Sequence, residues 1–152
     1  MDNQHKVQVL FVCTGNSARS QISEGLLRNT AGDMVDVYSA GTKPADQVNP
    51  LAKKVMAENG IDISDQYPKM LDQYIKKEFD VVVTTCDSAR QSCPVFPGNA
   101  EVFHWNLEDP AAATGGESER LAAFRKAYAE ISERMSQLMP VIREISGQQT
   151  EN

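Results

Sequence analysis

The chain has no apolar run that approaches the about 20 residues needed to cross a bilayer. Its first residues, Met1-Asp2-Asn3-Gln4-His5-Lys6, hold no apolar core of a secretory signal. These absences lead us to expect a cytoplasmic protein, in a compartment where thiols stay reduced. Histidine is scarce: His5 and His104 stand far apart and without ligand spacing. The three cysteines, Cys13, Cys86 and Cys93, do not complete the donor pattern of a zinc site, so no metal is expected. Three is also an odd number for a disulfide framework. In a reducing compartment such a set is catalytic, redox-active or merely buried. Basic residues are outnumbered 15 to 21, for a formal net charge of −6. That argues against nucleic acid or an anionic membrane as a partner, while leaving room for one local basic pocket.

What remains suits one domain over residues 1–152, long enough to bury its own core. No repeat, low-complexity tract or linker divides it. Apolar patterning predicts strands at 7–12, 35–39, 79–84 and 101–104. The run Val81-Val82-Val83 has no polar alternation, as a parallel strand buried on both faces requires. Helices are predicted from Ala18 or Ser20 to about residue 29, after the cap Asn49-Pro50 until Gly60, over 69–77, and over 119–145. Strands alternating with helices imply an α/β fold: a four-stranded parallel sheet with helices on both faces. In the last helix Leu121, Phe124, Tyr128, Ile131, Met135, Leu138, Ile142 and Ile145 form one stripe. It reads as a coiled-coil seam or as a face docked on the sheet. Pro140, expected to interrupt the helix, favours the docked face and hence a monomer.

Ligands of such sheets bind beyond the carboxyl ends of the strands, where the strand order reverses. Cys13 follows the first strand and Thr85-Cys86 follows the third, so two thiols can meet at that edge. Cys13 opens the loop Cys13-Thr14-Gly15-Asn16-Ser17-Ala18-Arg19-Ser20. Its backbone N–H groups can wrap a tetrahedral oxyanion, and Gly15 and Asn16 tolerate the backbone angles of such a nest. Arg19 can grip two oxygens as a fork. A free cysteine has a pKa of about 8.5 and needs such surroundings to react as a thiolate. Taken alone, Cys13 could be a buried cysteine before a turn. The strand before it, the helix after it and Gly-Asn-Ser between favour the anion loop. Asp109-Pro110 by itself is a common turn opener. His104 and Trp105 read as packing residues rather than ligands.

Cys13 to Ser20 matches the Cys-x5-Arg-Ser signature of the low-molecular-weight protein tyrosine phosphatase fold, and Asp109-Pro110 matches its acid loop. More narrowly, nearly the whole chain resembles the thioredoxin-coupled arsenate reductases. The resemblance rests on Thr84-Thr85-Cys86, Cys93-Pro94 and His104-Trp105-Asn106-Leu107-Glu108-Asp109-Pro110-Ala111. Tyr38-Ser39-Ala40-Gly41 and Gly60-Ile61-Asp62-Ile63-Ser64 are similar too. It implies that Cys13 attacks arsenate held by Thr14 to Ser20 and Arg19, while Asp109 donates a proton. It further implies that Cys86 and then Cys93 carry the disulfide outward to thioredoxin, for arsenic detoxification and without a bound cofactor. A glutaredoxin or a small thiol stays open as electron donor.

A potassium site in some members is matched by Asn16, Glu24 and Ser39. Lys69 stands where those members place an acidic residue, which argues against a potassium requirement. If residues 86–93 were helical, the two cysteines would lie about 10 Å apart along the axis. A disulfide needs Cα atoms within about 7 Å, so residues 87–92 are expected to rearrange on oxidation. The alternative enzyme is a tyrosine phosphatase that uses Cys13, Arg19 and Asp109 alone. Ala111-Ala112-Ala113 then replaces the aromatic wall expected after Asp-Pro. A non-catalytic oxyanion sensor would not need Asp109.

Overall fold

The computed structural model describes residues 6–151; residues 1–5, His5 among them, lie outside the described residues. Four strands, β1 (Val7–Cys13), β2 (Val35–Gly41), β3 (Val81–Thr84) and β4 (Glu101–His104), form one parallel sheet in the order β2-β1-β3-β4. Val9 pairs with Val37 on one side and Val81 on the other. The chain leaves β1 toward β2 and later returns to β3 on the opposite side. The carboxyl ends of β1 and β3 therefore flank the switch point at which such sheets bind ligands.

Side chains alternate across β1, and the two faces build two cores. Val7, Val9 and Phe11 pack with α1 (Arg19–Ala31), α2 (Pro50–Glu58) and α4 (Glu117–Glu151). Leu10 and Val12 pack on the other face with Phe79, Val82, Phe96 and Ala89 of the short α3 (Asp87–Ser92). Helices thus lie on both faces, as expected. Asn49 caps α2 by accepting the Leu51 N–H at 2.9 Å, and Gly60, at φ 76°, ends that segment in the left-handed region.

The docked reading of the last stripe holds: Leu121, Phe124, Ile131, Met135, Leu138 and Ile142 are buried, with Tyr128 and Ile145 packed against the same core. Two expectations are corrected. Pro140 lies inside α4 and does not end it. Its ring is exposed, while Leu138, Met139 and Ile142 around it are buried and hold the helix through the missing bond. Residues 69–77 form only a 3-10 turn, Leu71–Tyr74. Lys69 and Met70 are held extended against the end of β2: the Lys69 carbonyl accepts the Gly41 N–H at 2.8 Å, and Met70 bridges Gly41.

Because Pro140 sits on the exposed side of a helix that survives it, Pro140→Ala restores a helical bond without disturbing the core. We expect a gain of about 2 kcal/mol in urea denaturation, with an unchanged slope.

Candidate active site

Cys13 ends β1 and is buried. The chain then turns through Thr14, Gly15, Asn16, Ser17 and Ala18 into α1. Ala18 offers no side-chain cap, which leaves the first N–H groups of α1 facing the loop. The loop carbonyls are tied down on the outside. Those of Cys13, Thr14, Gly15 and Ser17 accept N–H groups of Thr42, Lys43, Ala45 and Asn49. With the carbonyls so engaged, the N–H groups are free to converge on an anion. The Asn16 N–H donates to Cys13 Sγ at 3.0 Å, and the Ser20 hydroxyl lies 2.8 Å from the same sulfur. The Asn16 N–H is a definite donor aimed at that sulfur.

Asn16 is the hinge of the loop. It adopts φ 50°, a left-handed conformation that costs a non-glycine residue about 1 kcal/mol. Its side chain is fully buried and fully used. Nδ2 donates to Ser20 Oγ at 2.7 Å and Ser39 Oγ at 3.0 Å, and Oδ1 accepts the Lys69 N–H at 2.8 Å. Below it Ser39 donates to Glu24 at 2.5 Å. The Glu24 carboxylate also meets Arg28 at 2.6 Å and the Lys69 ammonium at 3.8 Å. Lys69 Nζ donates to the Tyr67 carbonyl at 2.6 Å. Burial pushes the Lys69 pKa down, against the opposing pull of Glu24. The groups set aside for potassium do converge, but a lysine ammonium already pairs with their carboxylate.

Arg19 begins α1. Its Nη1 donates to the Leu107 carbonyl at 3.1 Å, and Nη2 lies 3.9 Å from Asp109 Oδ2. The Asp109 side chain is 48% exposed and accepts the Ala111 N–H at 3.0 Å, opening a 3-10 turn, Pro110–Ala112. Cys86 caps α3, its buried sulfur accepting the Ala89 N–H at 3.4 Å. The same sulfur lies 3.3 Å from Thr14 Oγ1, at the rim of the loop. Cys93 stands at the other end of α3, half-buried, and burial pushes its thiol pKa up. All three cysteines are free.

The residues singled out by motif thus gather at the β1/β3 edge, with Cys93 one short helix away. Among the described residues no group of acidic, cysteine or histidine side chains is set to hold a metal. Gly41 carries more than its motif suggested. A Cβ there would fall 2.5 Å from the Thr14 carbonyl oxygen. Gln21 was missed altogether: it is fully buried and donates to the carbonyls of Asn16 and Tyr67, both at 3.0 Å. Its neighbours Ser20, Ile22, Ser23 and Glu24 are mostly polar, so no sequence signal marked it as buried.

Residues 8–150 match the model of the low molecular weight phosphotyrosine protein phosphatases. The chain belongs to that family. The chain is also similar to relatives named arsenate reductase. The one from Halalkalibacterium halodurans is 47% identical over 131 residues, 86% of this chain and 94% of that protein. A solved arsenate reductase in its oxidized state superposes with a TM-score of 0.75 at 32% identity, covering 89% of this chain and 98% of that one. The thioredoxin-dependent arsenate reductase of Corynebacterium glutamicum gives 0.67 at 35% identity, covering 90% of this chain and 63% of that one.

The family's loop depends here on a glycine at the end of β2. Gly41→Ala pushes a methyl group against the Thr14 carbonyl and displaces the loop. Calorimetric titration with a tetrahedral oxyanion is expected to show affinity reduced by more than tenfold.

Proposed function

We propose that this protein reduces arsenate to arsenite through a relay of Cys13, Cys86 and Cys93, recycled by thioredoxin. The observation that carries the reading is the second buried thiol at the rim of the anion loop. Hydrolysis of an ester needs one thiol; a two-electron reduction needs two. The names of the relatives point the same way, and one neighbour is named thioredoxin-dependent.

In this reading arsenate enters the loop and Arg19 leaves the Leu107 carbonyl to fork two oxygens. Thr14 to Ser20 supply N–H groups and hydroxyls to the anion. The Cys13 thiolate bonds to arsenic, and an oxygen departs as water with a proton from Asp109. The Cys86 thiolate then attacks Cys13 Sγ. The electron pair of the sulfur–arsenic bond stays with arsenic, which leaves as arsenite, and a Cys13–Cys86 disulfide remains. Cys93 attacks Cys86, releasing the Cys13 thiolate. The Cys86–Cys93 disulfide passes to the thioredoxin dithiol.

The last exchange cannot occur with α3 intact. Cys86 and Cys93 flank six helical residues, and burial pushes the Cys93 thiol pKa up. Opening of α3 both shortens the gap and exposes the nucleophile. Since the relay starts from free thiols, we place the protein in the cytoplasm. Among the described residues no helix is long and apolar enough to cross a membrane. We also propose that no potassium ion is required, because the Lys69 ammonium already neutralises Glu24.

A phosphatase reading is favoured by one observation, the self-sufficient set of Cys13, Arg19 and Asp109. Cys93→Ser separates the two. Steady-state arsenate turnover, followed as NADPH oxidation with thioredoxin and its reductase, should fall at least a hundredfold. Hydrolysis of p-nitrophenyl phosphate should stay where it was. Unchanged arsenate turnover overturns the relay. Exchanging potassium for sodium at constant ionic strength should leave kcat and KM for arsenate unchanged. Lys69→Met, which leaves Glu24 short of a buried partner, should cost about 3 kcal/mol in urea denaturation.

A further inference from the structure

We propose that His104 is a positioning residue: it clamps the first residue of α3 to the sheet and so sets how readily that helix opens. This rests on the relay reading above. His104 is the last residue of β4 and pairs with Thr84 across the β3/β4 ladder. Its Nδ1 lies 2.7 Å from Thr84 Oγ1 and its Nε2 lies 3.0 Å from Asp87 Oδ1. The carboxylate can only accept, so Nε2 carries the proton and donates it. Thr84 fixes the ring orientation from the other side. His104, expected as a packing residue, is therefore a polar bridge between two strands and the helix that follows Cys86.

What the bridge holds is weak by itself. Six residues make under two turns, and a helix that short does not persist alone. At its start α3 is held by the Cys86 sulfur accepting the Ala89 N–H, by the buried Ala89 side chain, and by the His104–Asp87 contact. Beyond Cys93, Phe96 packs edge-on against Phe79 with ring centroids 5.4 Å apart and anchors the chain there. Once Cys86 is bonded to Cys13, its sulfur is no longer free to act as an ideal cap. The His104–Asp87 contact then becomes the polar tether at that end. In the following exchange the Cys93–Cys86 bond forms, the Cys13–Cys86 bond breaks, Cys13 leaves as thiolate and the Cys93 proton goes to solvent. That exchange needs the clamped helix to open.

Asp87 is 72% exposed, so it contributes little to the global fold and its loss is tolerated. A contact of that kind, weighed against so short a helix, shifts the opening equilibrium about three- to fivefold. The full-length protein carrying Asp87→Asn, His104→Gln or both is equilibrated in mixtures of oxidised and reduced dithiothreitol. Disulfides are mapped by alkylation and mass spectrometry. Each single variant should raise the oxidised-to-reduced ratio of the Cys86–Cys93 pair about three- to fivefold. The double variant should go no further than His104→Gln alone, because that change already removes the His104–Asp87 contact. Amide exchange over residues 87–92 of the reduced protein should rise in parallel. Ratios equal to wild type in Asp87→Asn overturn the clamp, as does a double variant whose shift is the product of the two. Should His104→Gln fail to fold, the Asp87→Asn result decides alone. A wild-type protein that forms a Cys86–Cys93 disulfide on stoichiometric arsenate, with variants that match it, sinks the clamp and leaves the relay. A wild type that forms none sinks both.

Discussion

The candidate anion loop hangs on one buried amide. Asn16 holds a left-handed backbone conformation and has no exposure to water, so each of its polar atoms must find a partner inside. Its amide reaches two serines and the backbone of Lys69, which come from α1, β2 and an extended segment far along the chain. Those bonds offset the strain and aim the Asn16 N–H at Cys13 Sγ. A loop so held is organised before any anion arrives. Binding of an anion would then cost little reordering, and in the proposed mechanism the same donors stabilise the attacking sulfur.

Beneath Asn16 the network becomes ionic. Ser39 passes the connection to Glu24, whose buried carboxylate meets Lys69 and Arg28. One carboxylate between two cations suits a site meant for an anion, since the local balance beneath the loop stays positive. This reconciles a chain of net charge −6 with an oxyanion site. Lys69 serves twice: its backbone N–H holds Asn16 and its ammonium balances Glu24. Its segment is extended for that reason, which is why the helix expected over 69–77 shrinks to a single turn.

The other side of the site is built for change. The anion loop is fastened from every direction, whereas α3 has few buried side chains and a sulfur for a cap. In the proposed relay the capping sulfur of Cys86 becomes bonded elsewhere, which links oxidation and helix stability through one atom. In that relay the rigid part binds and polarises, and the weak part moves the disulfide. Both lie at the carboxyl edge of one sheet because β1 and β3 are neighbours.

Local chemistry was legible in the residues. The strand runs, the Asn49-Pro50 start, the anion loop, the docked stripe from Leu121 to Ile145 and the gathering of Cys13 with Cys86 all follow from short-range pattern and strand order. The helix through Pro140 was not legible, because the apolar burial that holds it comes from other elements. Nor were the roles of Gln21 and Gly41, or the bridge from His104 to Asp87, each of which depends on what lies across the fold. Residue types and their spacing were enough to propose the reacting and binding groups: a thiol, a guanidinium and a carboxyl, with two further thiols in reserve. Which of them are held still and which sit on a weak element emerged only from the packing across the fold. Reactivity is a property of a side chain and its near neighbours, while rigidity is set by partners that residue spacing along the chain does not reveal.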